Sequence, residues 1–206
     1  MVVSLNSCFK NLPNKTVVYE NGFEDTSNKG FKIYGDMGLT DSLKRSTYNQ
    51  STVFGRFNTN YVVFKKDTLP EHNALKIEFD LYIHDKWDGN FLPVGASYPD
   101  IWQMTIDNYP VILTSFSNGS YSQSYPDNYQ TNMINNKPFS NSWELLPGVC
   151  SLSNNTKGTS HYKIDFTTSH FGPLQITLSD VPNPVNSLCL KSWSIDNLRI
   201  TAITYN

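Results

Sequence analysis

Hydrophobic and polar positions alternate strictly over residues 77–84, and this stretch gives the clearest structural signal in the chain. Its apolar members are Ile77, Phe79, Leu81 and Ile83, and polar or hydroxyl-bearing side chains fill the positions between them. Because successive side chains of a β-strand point to opposite faces, the pattern predicts a strand with one face on a hydrophobic core. The other face is expected to meet water or a ligand.

The same alternation returns in short segments along most of the chain, with turn-forming residues between them. The predicted strands cover residues 17–20, 52–57, 61–64, 101–107, 111–116, 162–166, 174–178 and 193–204. Residues 26–50 are predicted to form a polar surface excursion, and residues 117–160 a long loop region with short strands. No segment has a sustained helical period. The pattern predicts an all-β fold: an antiparallel β-sandwich of the jelly-roll type with essentially no helix.

The length of 206 residues suits one β-sandwich domain. We predict a polar lead-in over residues 1–16 and a single domain over residues 17–206. The net charge is −2 and no run of Lys or Arg is present, so a nucleic-acid partner is not expected. No apolar run approaches the ~20 residues that cross a bilayer, so membrane insertion is not expected either. The abundance of Asn, Ser, Tyr and Phe is typical of extracellular β proteins, which predicts an extracellular or cell-surface location.

The chain has three cysteines, so at least one of them has no partner within the chain. We predict a disulfide between Cys150 and Cys189, which leaves Cys8 over. Closing a loop of about 39 residues would stabilise the fold by roughly 3–4 kcal/mol in chain-entropy terms. The alternative is three unpaired thiols.

Acidic and amide side chains follow the alternating strand and surround Gly89. They are Asp85, Asp88, Asn90 and Asp100. Such oxygen donors on a loop suit Ca²⁺, which takes six to eight oxygen ligands, so the loop predicts a calcium site. The alternative is that these side chains hold the loop together through local hydrogen bonds to backbone groups.

Aromatic and amide residues in the loops are candidate ligand-binding residues, because aromatic faces pack on sugar rings and amides bond hydroxyl groups. The candidates are Trp87, Tyr121, Tyr125, Asn128, Tyr129 and Trp143. Trp102 shares a strand face with Met104 and Ile106 and is predicted to lie in the core. For each loop residue the alternative is ordinary packing.

Five short blocks occur in the order seen in an extracellular jelly-roll module of large surface proteins. They are Trp87-Asp88-Gly89, Pro99-Asp100-Ile101-Trp102, Thr114-Ser115-Phe116-Ser117-Asn118, Gln123-Ser124-Tyr125-Pro126 and Ser192-Trp193-Ser194-Ile195-Asp196-Asn197-Leu198. The chain resembles that module over most of residues 52–204. More broadly, it resembles carbohydrate-binding modules and lectin-like sandwiches with a structural calcium. In many of those, an early Phe-Glu pair and a late Asp share the ion, which implies Glu24 and Asp196 as calcium ligands here.

The sequence contains no complete catalytic motif among those considered below. The histidines are widely spaced and no Gly-x-Ser-x-Gly elbow is present. Glu78 and Asp80 would stand about 6.5–7 Å apart on one strand face, within the range of glycosidase carboxylates, but the Glu-x-Asp-x-x-Glu signature of sandwich glucanases is incomplete. The sequence predicts a non-catalytic, calcium-stabilised domain whose partner is a glycan or cell-surface ligand. The alternatives are a structural or protein-interaction module and, less favoured, a glycosidase.

Overall fold

A computed structural model describes residues 12–26, 29–35, 38–40, 44–130, 133–181 and 187–205. The thirteen strands in these ranges are β1 (Asn14–Asn21), β2 (Phe31–Gly35), β3 (Gly38–Thr40), β4 (Arg45–Tyr48), β5 (Ser51–Phe57), β6 (Tyr61–Lys66), β7 (Ala74–Asp85), β8 (Ile101–Ile106), β9 (Tyr109–Ser115), β10 (Glu144–Leu146), β11 (Thr159–Ser169), β12 (Leu174–Val181) and β13 (Lys191–Thr204). No helix occurs in the described ranges, and hence none that could cross a membrane.

The strands form two antiparallel sheets. In the first sheet the order is β10-β11-β7-β13-β5-β4, and β1 also pairs with β13. In the second sheet the order is β3-β2-β6-β12-β8-β9. The prediction of an all-β antiparallel sandwich is therefore confirmed.

The alternating strand is β7, and it lies in the middle of the first sheet between β11 and β13. Its predicted apolar face is confirmed, since Ile77, Phe79, Leu81 and Ile83 all belong to the core between the sheets. Burying a side chain of this size stabilises a fold by about 1.5–3 kcal/mol. Aromatic residues from both sheets fill much of the remaining core, including Trp102 and Trp193.

The outer face of β7 is divided into two parts. Toward its end, Tyr82 packs with Val53, Leu146 and Tyr48 in a small second cluster that covers this side of the first sheet. His84 lies fully buried beside that cluster. Nearer the middle, the outward residues stay partly exposed, so this part of the face is open to solvent.

Two predictions about the first fifty residues differ from the structure. β1 begins at Asn14, three residues earlier than predicted, and residues 1–11 of the predicted lead-in lie outside the described part of the chain, as does Cys8. The surface excursion predicted over residues 26–50 is wrong, because β2, β3 and β4 lie there. Phe31 and Ile33 alternate with polar residues and pack toward the core, which is what brings β2 into the second sheet.

The long loops after β7 and β9 are held by buried polar contacts. The disulfide between Cys150 and Cys189 is present, which confirms the predicted pairing. The side-chain amide of Asn118 donates to the carbonyls of Ile83 and Asp85 at 2.8 and 2.9 Å, and its oxygen accepts from the Ser160 hydroxyl. These loops are therefore fixed to the end of β7 rather than merely connected to it.

Candidate functional site

A groove of about 440 Å³ lies on the open outer face of the first sheet. Strand register brings its charged residues together: Lys163 of β11 pairs with Asp80 of β7. One step along the sheet, Asp165 and Arg199 pair with Glu78 in the same way. The chain thus brings charged side chains from three neighbouring strands together on one face, and Glu20 and Asn21 of β1 complete the wall.

An irregularity in β13 turns one amide into this groove. The register of β13 against β7 shifts between Asp196 and Arg199, and Asn197 has a positive φ of 52°. Such a bulge places two residues opposite one and redirects a side chain. Here the Asn197 amide donates to Asp80 Oδ2 at 2.8 Å.

Asp80 is the most tightly held carboxylate of the groove. Besides Asn197, the His161 ring lies with its Nε2 2.8 Å from Asp80 Oδ1. Partial burial raises the pKa of Asp80, but the hydrogen bonds from His161 and Asn197 outweigh it and leave the pKa below its usual value. Asp80 is therefore ionised at neutral pH and offers oxygen acceptors to the groove.

Two of the predicted calcium ligands contact the same hydroxyl group, that of Ser51 at the start of β5. The Ser51 hydroxyl lies 2.7 Å from Glu24 Oε1 and 2.9 Å from Asp196 Oδ2. Burial raises the pKa of Asp196, and the charges of Asp80 and Glu24 act in the same direction. The backbone N–H of Thr52 and the hydroxyl of Ser51 lower the pKa of Glu24. Glu24 and Asp196, which the family resemblance implied as ligands of one ion, are thus linked through one hydroxyl, and their role in binding calcium stays a prediction.

Trp143 directly precedes the edge strand β10 and contacts Lys163, which lines the groove. Its backbone N–H donates to the His161 carbonyl at 2.8 Å, which extends the pairing of β10 with β11 by one residue. The Lys163 Nζ lies 4.2 Å from the centroid of the indole ring, a cation–π contact. The side chain nevertheless remains 67% exposed, so most of the ring is open to solvent. This is the only tryptophan among those of the described residues that is not buried.

A second cavity of about 420 Å³ adjoins the groove and shares Lys163 and Asp165 with it. The predicted ligand-binding residues Tyr125 and Asn128 line it. Asn128 Oδ1 accepts from the Leu113 N–H at 2.9 Å, and Tyr125 packs on Phe116. Both residues are therefore partly engaged in holding the loop onto β9.

The predicted residues Tyr121 and Tyr129 lie elsewhere, beside a cavity of about 220 Å³ among the long loops. Tyr121 stacks on Phe91 with the ring centroids 4.5 Å apart, and both rings are partly exposed. The candidate ligand-binding residues Tyr121, Tyr125, Asn128 and Tyr129 are thus divided between two regions of the surface.

Trp87 is a correction. Its side chain is only 1% exposed, and its indole N–H donates to the Ser192 carbonyl at 3.0 Å. The prediction that Trp87 binds a ligand is wrong, because the loop that follows β7 turns the ring into the core.

The acidic loop after β7 does not gather its four predicted calcium ligands around one point. Asp85 is buried, and its Oδ1 accepts from the N–H groups of Cys150 and Leu152. Asn90 Oδ1 accepts from two serine hydroxyls. Asp100 forms an ion pair with Lys191.

Asp88 is the one member of that set whose carboxylate is not fixed by such a contact. Burial raises its pKa, and the neighbouring charge of Asp100 adds to the effect. Within the described ranges, no group of three or more His, Cys, Asp or Glu side chains is arranged to hold a metal ion. In this structure the loop is a hydrogen-bonded structural element, as the alternative described, and calcium binding by this loop stays a prediction.

Sequence reasoning missed Lys163 and Asn197 as groove residues. Lys163 carries a detectable signal, because it occupies an outward position in the alternation of Tyr162, Ile164 and Phe166. Asn197 carries none, since the bulge that redirects it depends on the pairing of β13 with β7.

Comparison with known proteins gives distant structural similarities only. No family model matches the chain, and no curated protein matches it. A xylan-binding module, CBM15, aligns over 93% of this chain and 97% of its own, with 8% identity and a TM-score of 0.39. A Clostridium thermocellum xylanase 10B chain with CBM22-1 and GH10 modules aligns over 90% of this chain with 12% identity and a TM-score of 0.34, and this chain spans 28% of its length. Similarities of this size assign no function to the chain.

Proposed function

We propose that this chain is a non-catalytic carbohydrate-binding domain and that its glycan lies in the groove on the first sheet. The observation that carries the proposal is the exposed Trp143 ring, held by Lys163 beside a groove of hydrogen-bonding side chains. A pyranose has a C–H face that packs on an aromatic ring and hydroxyl groups that need polar partners. Trp143 and the groove supply these two surfaces next to each other, with Lys163 between them.

The polar groups of the groove favour a neutral glycan. Its wall contains four carboxylates, of Glu20, Glu78, Asp80 and Asp165, against the two cations of Lys163 and Arg199. An ionised carboxylate only accepts hydrogen bonds. The groove is therefore rich in acceptors, which match hydroxyl donors, whereas a uronate or sulfate would bring further acceptors and a repelled charge.

The carboxylates are poorly placed for glycoside hydrolysis. A glycosidase needs one carboxylic acid that stays protonated, with a raised pKa. Hydrogen bonds hold the pKa of Asp80 below its usual value. Glu78 Oε1 lies 2.7 Å from the Lys76 ammonium. These contacts support binding without catalysis.

We include calcium in the proposal as a stabilising ion with Glu24 and Asp196 as its ligands. The two residues fit a hard cation, because both present carboxylate oxygens near one hydroxyl and the pKa of Asp196 is raised by burial and by neighbouring negative charge. A bound cation would offset that repulsion. An extracellular or cell-surface location is proposed too, and the Cys150–Cys189 disulfide supports it, since such bonds persist in oxidising compartments.

The test is a screen of neutral polysaccharides and their carboxylated derivatives, followed by calorimetry on Trp143→Ala. Tyr109→Ala is the matched control, because Tyr109 is an exposed aromatic residue of the second sheet. We expect a neutral glycan to bind, and binding to weaken in Trp143→Ala but not in the control. Equal effects of the two variants, or no glycan bound at all, would overturn the proposal.

A protein-interaction module remains the second candidate, and one observation favours it. Phe91, Leu92 and Val94 are exposed in the loop between β7 and β8, and Tyr121 joins them by stacking on Phe91. Contiguous exposed apolar surface marks interaction sites in soluble proteins. If no glycan binds, cross-linking through this loop in the presence of a cell-surface extract, compared with Leu92→Ser, tests that function.

A further inference from the structure

Three turns meet at one end of the sandwich and bring two histidines and a carboxylate together. His72 lies in the connection from β6 to β7, Asp107 in the turn from β8 to β9, and His170 in the turn from β11 to β12. Both imidazole rings are buried, at 7% and 5% exposure. They lie nearly parallel, with their centroids 5.1 Å apart.

The rings form one continuous chain of hydrogen bonds. His72 Nδ1 lies 2.7 Å from the Pro70 carbonyl oxygen, and His72 Nε2 lies 2.8 Å from His170 Nδ1. His170 Nε2 in turn lies 2.9 Å from Asp107 Oδ2. The other carboxylate oxygen of Asp107 accepts from the Gln175 N–H at 2.8 Å. Every ring nitrogen therefore has one partner.

Counting the protons of this chain gives its charge. The Pro70 carbonyl only accepts, so His72 Nδ1 must carry a proton. An ionised Asp107 carboxylate also only accepts, so His170 Nε2 must carry a second. The bond between the rings needs a third. Two neutral imidazoles supply only two protons, so the chain is complete only with one more.

His84 shows the opposite arrangement in the same molecule. Its two ring nitrogens lie 3.1 Å from the Thr159 hydroxyl and 2.7 Å from the Ser194 hydroxyl, and a hydroxyl can donate as well as accept. A neutral ring therefore satisfies both contacts. Burial, with the charge of Arg56, lowers the pKa of His84 to about 3. The two histidine sites therefore differ in the hydrogen-bond partners of their ring nitrogens and not only in their degree of burial.

Among the described residues, Asp107 is the only charged side chain in direct contact with the two rings. The remaining charged and titratable side chains on the segments around them are Lys66, Asp67, Glu71, Tyr109 and Tyr205. Lys66 is half-buried at the end of β6, and the other four are exposed. The contact between His170 and Asp107 is thus the closest one that the pair makes with a charged side chain.

We propose that His72, His170 and Asp107 form a proton-binding site at this end of the sandwich. The site holds one proton more than two neutral imidazoles and an ionised carboxylate carry, and this proton completes the chain of hydrogen bonds. The proton resides on the imidazoles, which are more basic than a carboxylate. Its loss leaves the bond between the rings or the bond to Asp107 without a proton. Uptake of a second extra proton places N–H groups on both facing ring nitrogens, and these repel.

The site makes the stability of the protein depend on pH in both directions. In the unfolded chain each histidine has an ordinary pKa near 6.5. Well above that pH the unfolded chain holds no extra proton and the folded chain holds one, so stability falls as the pH rises. Well below it the unfolded chain holds two and the folded chain one, so stability falls as the pH falls.

Long-range ¹H–¹⁵N spectra of the histidine rings, assigned through the single variants His72→Gln and His170→Gln, test the proton count directly. At pH 7 we expect three N–H protons on His72 and His170 together, and one on His84. Two protons shared by His72 and His170 would overturn the proposal. The protons are counted on the wild type and no glycan is involved.

Asp107→Asn provides the second test. Asp107 has a positive φ of 49°, which Asn tolerates. The amide oxygen can still accept from Gln175, while the amide nitrogen donates to His170 Nε2 and removes the need for the extra proton. We expect two ring protons in this variant. In the wild type we expect the unfolding equilibrium constant to rise by up to tenfold per pH unit above pH 7. In Asp107→Asn this rise should be absent.

Asp67→Asn is the matched control, because it removes an exposed carboxylate from the neighbouring turn. It should keep the wild-type proton count and pH profile. Parallel profiles for wild type and Asp107→Asn would overturn the proposal.

Discussion

Lys163 and Trp143 are in contact across the pairing of β11 with β10, with the lysine nitrogen 4.2 Å from the centre of the indole ring. The lysine covers part of one face and leaves the ring 67% exposed. An exposed cation–π contact is worth about 0.5–1 kcal/mol. That is enough to orient an exposed side chain next to an edge strand, so we interpret Lys163 as a positioning residue for Trp143 as well as a donor in the groove.

The first prediction concerns this pair. Trp143→Ala should weaken binding of a neutral glycan at least tenfold, about 1.4 kcal/mol, because the stacking surface is lost. Lys163→Ala should weaken it less, and part of its effect should vanish when Trp143 is already Ala. A calorimetric double-mutant cycle measures that coupling. Fully additive effects would mean that Lys163 acts on the ligand alone.

The second prediction concerns calcium. After chelation, added calcium should raise the unfolding midpoint, since an ion at 100 times its Kd stabilises the folded state by about 2.7 kcal/mol. Asp196→Asn should abolish the rise, because the ion would lose a charged ligand. Asp88→Asn, in the acidic loop after β7, serves as the comparison and should keep the rise. If calcium leaves the unfolding midpoint of the wild type unchanged, the ion is removed from the proposal.

The third prediction concerns acid stability. The pKa of Asp80 is lowered in the folded protein, so its contribution to stability is present above the ordinary carboxyl pKa of about 3.9 and is lost as the pH falls through the folded value. Asp80→Asn should therefore be less stable than the wild type at neutral pH, with the two curves converging in acid. Urea unfolding between pH 7 and pH 3 checks this. Curves that stay parallel over that range would contradict the assignment.

The fourth prediction concerns the disulfide. Replacing Cys150 and Cys189 by Ser should cost roughly 3–4 kcal/mol, because the unfolded chain is released from a loop whose ends are 39 residues apart. Chemical unfolding of the double variant measures the loss. A double variant as stable as the wild type would mean that the bond adds no net stability.

The alternation of apolar residues was sufficient to predict the fold class and the face of β7 that meets the core. It was not sufficient for β2, where only Phe31 and Ile33 stand among polar neighbours and the strand is stabilised by pairing with β6. The local pattern of apolar residues shows which face of a strand is buried, whereas the pairing of strands depends on residues that are distant in the chain. Short strands of mixed composition are therefore the ones that a sequence pattern misses.

The candidate site was predictable only in part, for the same reason. Glu24 and Asp196 were paired through a family resemblance and are brought together around Ser51, although they lie far apart in the sequence. Trp87 was misassigned because its neighbours are acidic, while its environment is set by the Ser192 carbonyl 105 residues away. The contact of His161 with Asp80, 81 residues apart, has no local signal at all.

Asn118, whose side-chain amide holds the end of β7, has a consequence for how the protein can be produced. It begins an Asn-Gly-Ser triplet, which is an acceptor for N-linked glycosylation. The nitrogen that would carry the sugar is the one that donates to Ile83 and Asp85, and the residue is 4% exposed. A glycan attached during synthesis would take one of those two protons and would not fit in the folded structure. A host that modifies this triplet would therefore yield a chain unable to close its loops onto β7, and a host without that pathway avoids the problem.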